Sequence, residues 1–412
     1  MSKDLDIVIY GATGFTGKLC VKYLTENAKD LNWAIAGRDR TRLSQVAIRY
    51  YPKIERLVAD GDDEEALDLI TKRTKVIIST AGPFHRYGSK LVASCVKNST
   101  HYVDITGETF WIKEMIDKHH SEAVTKGVRI IPSCGYDSLP SDLGVFFAAK
   151  MLQKPIKRVE SFHTGQGGAS GGTIETGFSM GDLNLGKQMQ DPFLLNPEDS
   201  VTPEQRSLSS DKVKIRKNNL IDAWTGRFIM ATMNTRVVRR SAALLEARQE
   251  TYGVDFTYQE HAFYQKYLNA FLVSFGTIFS MIIIATPLRK LVRRFLPKPG
   301  EGPSEETMRK GFFDCLFTAE AEDSSINIFR MHGKGDPGYR VTSKFVCESA
   351  LTLIHSEDDL PGGKEYGGLL TPASGLGQPL IERLSKAGIF FEGPLAVSYT
   401  HLRAHETRED RV

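Results

Sequence analysis

Short apolar runs alternate with amphipathic helical stretches through the first 145 residues of the chain. The apolar runs predict six buried strands, at positions 7–10, 33–36, 57–59, 76–79, 101–105 and 128–131. Between the strands the pattern predicts helices, among them 62–73, 88–97 and 111–126. This rhythm is typical of a doubly wound parallel sheet, so we predict an α/β Rossmann dinucleotide-binding domain over residues 1–145.

The pattern of apolar and polar residues changes after Pro155, where glycines cluster and the polar stretches become longer. Strand-like stretches at 158–164 and 339–346 occur without regular helical crossovers, and 197–219 is polar and loop-like. We therefore predict an α+β domain, of a substrate-binding or dimerisation type, over residues 146–364. A helix is expected near 379–388, within a C-terminal segment at 365–393.

One segment, residues 270–288, carries no charge over 19 positions. Lys266 precedes it, and a basic group follows that comprises Arg289, Lys290, Arg293 and Arg294. Three interpretations compete: a buried core helix, a helix on a membrane or lipid-droplet surface, and a true membrane span. The basic flank favours the surface. We expect a membrane-associated protein that faces the cytosol, with a cytoplasmic location as the alternative.

Composition narrows the classes of function. Hydrophobic residues make up 41% of the chain and charged residues 25%, as in folded globular proteins. The net charge of +3 is nearly balanced and no basic run is long enough to follow a phosphate backbone, so nucleic acid is not an expected partner. The 5 cysteines show no Cys-x-x-Cys spacing, which favours reduced, buried thiols, and we expect no metal site.

A glycine-rich loop follows the first strand directly and opens a helix. The candidate cofactor-binding residues there are Gly11, Ala12, Thr13, Gly14, Phe15, Thr16 and Gly17. Gly11 permits a tight turn, Gly14 allows main-chain amides to approach a pyrophosphate, and Gly17 lets the helix pack closely on the sheet. Since the helix N-terminus then faces the negative charge, this loop predicts nucleotide binding.

The ends of the next strands distinguish between the two nicotinamide cofactors. Arg38 stands where a carboxylate would hold the ribose of NAD, and its guanidinium can pair with a 2′-phosphate. NADP(H) is therefore favoured; in the alternative, Arg38 is solvated and Asp39 serves NAD(H). Asp60 is a candidate for the adenine side or an ordinary turn residue. Beside the nicotinamide ribose we place Ala81, Gly82 and Pro83.

Candidate chemistry lies in the turn after the sixth strand and in a later glycine loop. Tyr136 or Asp137 could relay a proton beside hydride transfer, and Ser141 or Asp142 could cap the helix that follows. Main-chain amides at a second helix start could hold a substrate oxygen, through Gly171, Gly172 and Thr173. The Tyr-x-x-x-Lys pair of short-chain dehydrogenases is absent from the sequence, as are the zinc-protease, serine-hydrolase and Walker motifs.

Several motifs occur together in a familiar order: GATGFTG, AGRDR, STAGPFHRYG, YVDITGE, CGYDSLPSDLG and GGLLTPASGLGQPLIERLSKAGIFF. In this the chain resembles the saccharopine dehydrogenase-like oxidoreductases to about residue 393, and its GGASGGT loop is similar to that of the trans-acting enoyl reductases. The resemblance implies that the 367–391 segment returns to pack on the Rossmann domain. It also implies a lipid-linked role at membranes or lipid droplets.

Two features depart from that family. We identify no arginine cluster suited to the carboxylate-rich adduct that true saccharopine dehydrogenases bind. The stretch 397–407 corresponds to a translated transposon-based sequencing adapter, so we expect 397–412 to be an artefactual tail and give His401 and His405 no functional weight.

The leading hypothesis is an NADPH-dependent reductase that acts on a C=C or C=N bond of a small or lipid-like substrate. The alternative is a membrane-surface scaffold or sensor that binds NADP(H) without turnover. A homo-oligomer remains open.

Overall fold

The computed structural model describes residues 3–168, 190–209, 214–286 and 300–395, with a few single positions between these ranges. The proposed substrate loop Gly171, Gly172 and Thr173 and the 397–412 tail lie outside the described residues.

The first sheet contains seven parallel strands in the order β13-β6-β5-β4-β1-β2-β3. Its strands are β1 (Leu5–Tyr10), β2 (Trp33–Gly37), β3 (Glu55–Val58), β4 (Thr74–Ser79), β5 (His101–Asp104), β6 (Arg129–Ile131) and β13 (Gly368–Leu369). All six predicted strands are present, and the doubly wound Rossmann architecture is confirmed. The seventh strand comes from the C-terminal segment, which returns beside β6.

Helices cover both faces of this sheet. They are α1 (Phe15–Asn27), α2 (Arg40–Tyr50), α3 (Glu64–Arg73), α4 (Phe84–Tyr87), α5 (Ser89–Lys97), α6 (Thr109–Thr125) and α7 (Leu139–Leu152). Local sequence explains where α2 and α3 begin, because the side chains of Asp39 and Asp63 accept hydrogen bonds from main-chain amides of the first turn.

A second, mixed sheet of seven strands lies beyond α7, in the order β14-β12-β11-β7-β10-β9-β8. Its strands are β7 (Ile156–Gln166), β8 (Arg216–Asn218), β9 (Ala223–Gly226), β10 (Thr257–Tyr264), β11 (Phe312–Ala321), β12 (Ile326–Lys334) and β14 (Ile389–Leu395). The central strands β7 and β10 are parallel and the other pairs are antiparallel. The C-terminal segment thus supplies one strand to each sheet.

The remaining helices connect and cover the two sheets. They are α8 (Pro203–Leu208), α9 (Ala231–Glu246), α10 (Tyr267–Ala285), α11 (Glu305–Lys310), α12 (Thr342–His355), α13 (Pro372–Gly375) and α14 (Gly377–Lys386), with one π-helical turn at Pro337–Val341. The predicted loop at 197–219 therefore includes a short helix and a short strand.

The predicted strand at 339–346 is wrong, because this stretch forms the π-helical turn and the start of α12. Its β-branched and aromatic residues favoured a strand locally. In the fold they are buried at helical spacing, as Phe345 and Val346 pack into the core between the two sheets. Packing across the domains overrides the local preference here.

The apolar helix α10 lies on the second sheet with most of its large side chains in solvent. Leu268 and Phe275 are each 60% exposed, so the interpretation of this segment as a buried core helix is wrong. Within the described part of the chain, no helix combines the length and apolar character needed to cross a membrane.

Asp142 was predicted as a candidate helix cap, and this is wrong, since α7 begins after Ser138 without a side-chain cap. The Asp142 carboxyl instead accepts hydrogen bonds from the Ser241 hydroxyl of α9 and from the Ala373 amide of α13, the latter at 2.8 Å. It therefore joins three helices at the centre of the molecule.

Stability should depend on pH through Asp142. Burial raises the pKa of this carboxyl to about 7. Because the folded pKa lies above the value of about 3.9 in unfolded chains, the stabilising contribution is complete below about pH 4 and is lost as pH rises through about 7. We expect Asp142→Asn to reduce the loss of unfolding free energy between about pH 5 and pH 8, measured by urea denaturation. An unchanged pH dependence in the variant would contradict this assignment.

Candidate active site

The turn between β1 and α1 is built on two glycines that the protein itself requires. Gly11 has φ +86°, and a Cβ there would lie 2.9 Å from the Ala81 amide nitrogen. A Cβ on Gly17 would lie 2.3 Å from the Gly11 carbonyl oxygen and 2.8 Å from the Ala12 Cα. Any larger residue at either position would push α1 away from the end of β1.

Close contacts within the protein do not explain the glycine at position 14. Its φ is −71°, which any residue adopts, and within 4 Å a Cβ would meet only the Gly11 carbonyl oxygen, at 3.3 Å. It precedes α1 and offers no side-chain cap to the first amides of the helix, those of Phe15, Thr16 and Gly17. The predicted diphosphate would lie beside these amides, on the side where a Cβ of residue 14 would project.

The aromatic ring of Phe15 is directed away from that space. It makes an edge-to-face contact with Tyr339, with ring centroids 5.1 Å apart, and it packs against Gly302. The predicted role of Phe15 in cofactor binding can therefore rest only on its main-chain amide. The side chain fastens the cofactor loop to the second half of the chain.

The loop after β4 is tied to the cofactor loop and held from behind. The Thr80 hydroxyl donates to the Gly11 carbonyl oxygen at 3.1 Å. Glu108, fully buried, accepts from the amides of Phe84 at 2.8 Å and His85 at 2.9 Å. Between these anchors lie Ala81, Gly82 and Pro83.

No close contact requires glycine at position 82. Gly82 is exposed, and a Cβ there would make only ordinary contacts, the nearest at 3.4 Å from the Phe84 ring and another at 3.7 Å from the Thr176 hydroxyl. The contact of this loop with the nicotinamide ribose remains a prediction.

The end of β2 presents one exposed cation and one carboxylate that is already engaged. Asp39 accepts from the Arg42 amide at 3.0 Å and thereby caps α2. Arg38 is exposed at the sheet edge. Because Arg38 is an exposed guanidinium at the end of β2, a 2′-phosphate is a suitable partner for it.

Asp60 follows β3 in an exposed turn, where its side chain accepts from the Asp62 amide at 3.1 Å. That bond accounts for the residue as a turn former. Its predicted contact with the adenine side of the cofactor remains a prediction.

The Tyr136 turn, residues 136–138, lies where the first sheet meets the second. Thr342 accepts from the Tyr136 amide at 3.0 Å, and the phenol ring packs edge-on against Phe313 at 5.5 Å between centroids. Burial, more than the nearby thiol of Cys315, raises the pKa of Tyr136 well above its ordinary value. Burial also raises the pKa of Asp137 to about 6. Both groups therefore hold protons more readily than in water.

A buried polar cluster behind Tyr136 was not predicted from the sequence. It consists of Ser141, Ser161, His163, Asn234, Tyr258, Glu260 and Cys315. The available signal was the presence of two ionisable residues, Glu260 and His163, inside apolar strands, at positions whose alternation points them inward. The residues come from five different elements, so spacing in the sequence could not bring them together.

Comparison with known proteins shows the family of the chain. Residues 7–131 match the family model of the saccharopine dehydrogenase NADP binding domain. A Mycobacterium tuberculosis protein that is provisionally named a trans-acting enoyl reductase is 36% identical over 416 residues, covering 94% of this chain and 97% of that protein. The trans-acting enoyl reductase of Mycobacterium leprae is 32% identical over 421 residues, with the same coverage of 94% and 97%.

Among solved structures, apo saccharopine dehydrogenase (L-Glu forming) from Saccharomyces cerevisiae shares the fold. The TM-score is 0.51 at 14% sequence identity, over 95% of this chain and 100% of that one.

Fold, cofactor loop and family model together define an NAD(P)-dependent oxidoreductase with NADP(H) as the favoured cofactor. More particularly, the chain belongs to the saccharopine dehydrogenase-like oxidoreductase family, in the group that contains these trans-acting enoyl reductases.

Proposed function

We propose that this protein reduces the C=C bond of a lipid-related enoyl substrate with NADPH at a membrane or lipid-droplet surface. The main support for the proposal is that two groups lie at the same edge of the first sheet, where its parallel strands end. An open diphosphate cradle lies at the end of β1, and a proton-holding tyrosine lies at the end of β6. A hydride donor and a proton donor on one edge are what reduction of a conjugated double bond needs.

The protein's own part in this reaction is to position the reactants. The amides at the start of α1 hold the diphosphate, and Arg38 holds the 2′-phosphate. Glu108 keeps the loop of Gly82 and Pro83 against the nicotinamide ribose. When bound, NADPH supplies the hydride. Tyr136 is placed to deliver the proton that completes the reduction.

Two buried arginines, Arg239 and Arg240, support a substrate whose reacting group is uncharged. They argue against a carboxylate-rich adduct as the substrate. Arg239 donates to the carbonyl oxygens of Pro192 and Tyr258, and Arg240 to those of Leu195 and Leu369. Because these guanidinium groups hold main-chain carbonyls, they are not available to a substrate carboxylate. The enoyl reductase names of the relatives point the same way.

Membrane association is supported by the inverted pattern of α10. The side chains that face the second sheet are small or polar, namely Ala270, Ser274 and Thr277. The side chains in solvent are large and apolar, and Tyr267, Phe271, Phe275 and Phe279 form a row of neighbouring aromatic rings about 6.4 Å apart. An apolar face of this size on a folded protein marks an interaction surface, and the basic flanking residues match anionic head groups.

Replacing part of this row should release the protein from lipid. We expect Phe271→Asp/Phe275→Asp to lower partition onto vesicles of phosphatidylcholine and phosphatidylglycerol by at least about tenfold, since two exposed rings lose their burial in lipid. The control is Ile48→Asp/Leu69→Asp, which removes side chains that are 71% and 66% exposed elsewhere on the surface.

Co-sedimentation with vesicles, together with light scattering of the free protein, decides the matter. Equal lipid binding by the two double variants would contradict the membrane assignment. Loss of a dimer in the Phe271/Phe275 variant, without any change in lipid binding, would show that the apolar face contacts a second copy instead.

Turnover tests the enzymatic proposal itself. Wild-type protein should oxidise NADPH in the presence of medium- and long-chain trans-2-enoyl thioesters and yield the saturated thioester, followed by absorbance and mass spectrometry. Binding of NADPH without turnover, across both enoyl and imine substrates, would contradict the reductase proposal and favour a scaffold or sensor that only binds the cofactor.

A further inference from the structure

Three adjacent strands of the second sheet, β11, β7 and β10, each present polar side chains to one common side. In the register of β7 and β11, His163 lies opposite Cys315, and in that of β7 and β10, Ser161 lies opposite Glu260. Since side chains alternate along a strand, these residues share one face. The bond of Glu260 to Ser141 shows that this face meets α7, the helix that follows the Tyr136 turn. Strand pairing thus assembles groups from distant parts of the sequence.

These side chains form a continuous path of neighbouring polar groups. The Cys315 thiol is a neighbour of the Tyr136 hydroxyl and adds to the rise in the pKa of Tyr136. The Cys315 Sγ is hydrogen-bonded to His163 Nδ1 at 3.1 Å. His163 Nε2 is hydrogen-bonded to the Ser161 hydroxyl at 2.9 Å, and it lies 3.1 Å from Glu260 Oε1. The path therefore leads from Tyr136, in the turn after β6, to the fully buried carboxyl group of Glu260.

Further bonds hold the inner end of the path. The Asn234 amide donates to Glu260 Oε1 at 2.8 Å, and the Ser141 hydroxyl donates to the same atom at 3.1 Å. Tyr258 donates to Oε2 at 3.3 Å. These contacts fix the carboxyl group in place, so its distance to His163 is set by the fold.

Only one group on the path can release a proton near neutral pH. Burial raises the pKa of both Tyr136 and Cys315 well above their ordinary values, and burial lowers the pKa of His163 to about 3, so that its ring is neutral. Burial also raises the pKa of Glu260 to about 8. The titratable groups that face Glu260 are Tyr258 on its own strand, His163 on β7, Cys315 on β11 and Tyr136 beyond it.

We propose that Glu260, His163 and Cys315 form a proton relay that resupplies Tyr136 as the proton donor for the reduction. This inference rests on the proposed function. It adds the source of the proton that, together with the hydride of NADPH, completes the reduction. Tyr136 is the catalytic residue, and the other three act through it.

The transfer balances as a chain of shifts. Hydride adds to the β-carbon of the enoyl group, and the Tyr136 O–H gives its proton to the α-carbon. The Cys315 S–H proton moves to the tyrosyl oxygen, the His163 Nδ1 proton moves to Sγ, and the Glu260 proton moves to Nε2. One proton leaves Glu260 and one enters product. Water returns a proton by the reverse path after product leaves, which restores the imidazole tautomer and the carboxyl group.

The decisive comparison is Cys315→Ala against Cys315→Ser. Alanine interrupts the path, so kcat should fall by about 100-fold, within the range that proton transfer contributes. Serine keeps an O–H at the same place and should restore kcat to within about tenfold of wild type. Cys95→Ala, which also removes a buried thiol but lies in the first domain, is the control and should keep wild-type kcat. All variants should bind NADPH as wild type does.

Two pH measurements complete the test. Wild-type kcat should decline above about pH 8, where Glu260 loses its proton, and this decline should be absent in Glu260→Gln, whose residual rate is low at every pH. Infrared difference spectra, which need no substrate, should contain the band of a protonated carboxylic acid at neutral pH, lost in Glu260→Gln.

The outcomes separate the two proposals. Equal kcat for the alanine and serine variants, or an ionised Glu260 at neutral pH, would overturn the relay even if the enzyme reduces enoyl thioesters. If wild-type protein reduces no enoyl thioester at all, the proposed function fails, and an infrared band that titrates near pH 8 and disappears in Glu260→Gln would still identify Glu260 as the proton-holding group.

Discussion

Replacing Gly14 by valine is expected to abolish NADPH binding while the protein stays folded. A side chain at this position meets little of the protein, since only the Gly11 carbonyl oxygen lies within 4 Å of a Cβ, at 3.3 Å. It would instead fill the space beside the first amides of α1, where the diphosphate must approach. We expect a loss of at least about 100-fold in affinity, which corresponds to about 2.7 kcal/mol.

Titration of NADPH fluorescence measures this loss, and thermal unfolding shows whether the fold survives. Gly276→Val on α10 is the matched control, because a Cβ there meets no described atom within 4 Å and α10 packs on β9 and β10 of the second sheet. Gly14→Val with wild-type affinity would place the diphosphate elsewhere. A variant that unfolds would be replaced by Gly14→Ala, for which we expect a smaller loss in the same direction.

Arg38→Ala should weaken NADPH binding and leave NADH binding nearly unchanged. The guanidinium at the end of β2 has a 2′-phosphate as its partner only in NADPH. A charge-assisted hydrogen bond of this kind contributes about 1.5–3 kcal/mol, so the loss should be about 10- to 100-fold.

The Kd of each cofactor for wild type and variant gives this result directly. Arg42→Ala is the control, since Arg42 is also exposed but forms an ion pair with Asp39, at 3.5 Å, on the first turn of α2. Equal losses for NADPH and NADH in Arg38→Ala would remove the basis for preferring NADP(H) at this position.

Local signals were sufficient to predict the first domain. The apolar run of β1 and the glycines at 11, 14 and 17 act on neighbouring residues, so their effect can be read from the sequence. The sequence does not distinguish Gly11 and Gly17, which close contacts within the protein require, from Gly14, which they do not. Only the surrounding atoms make this distinction.

In the second domain, local sequence signals were not sufficient to predict the structure. The stretch 339–346 has strand-forming residues, yet packing between the sheets makes it helical. Cys315 and His163 lie 152 positions apart, and only the pairing of β7 with β11 places them in contact. Strand register is a property of the whole sheet, so the buried polar cluster could not be predicted from spacing.

The apolar segment was predicted in part. Its helical conformation follows from composition, but whether it is buried depends on which side chains face the sheet. Ala270 and Ser274 do, which leaves the aromatic row outside. An apolar run without charge is compatible with either arrangement, and only the three-dimensional packing decides between them.

Calorimetric titration of the wild-type protein with NADPH and with NADH tests the central claim most directly. We expect one site per chain, occupied by NADPH at least about tenfold more tightly than by NADH, a difference of about 1.4 kcal/mol. Absence of binding by either dinucleotide to folded protein, or tighter binding of NADH, would contradict it.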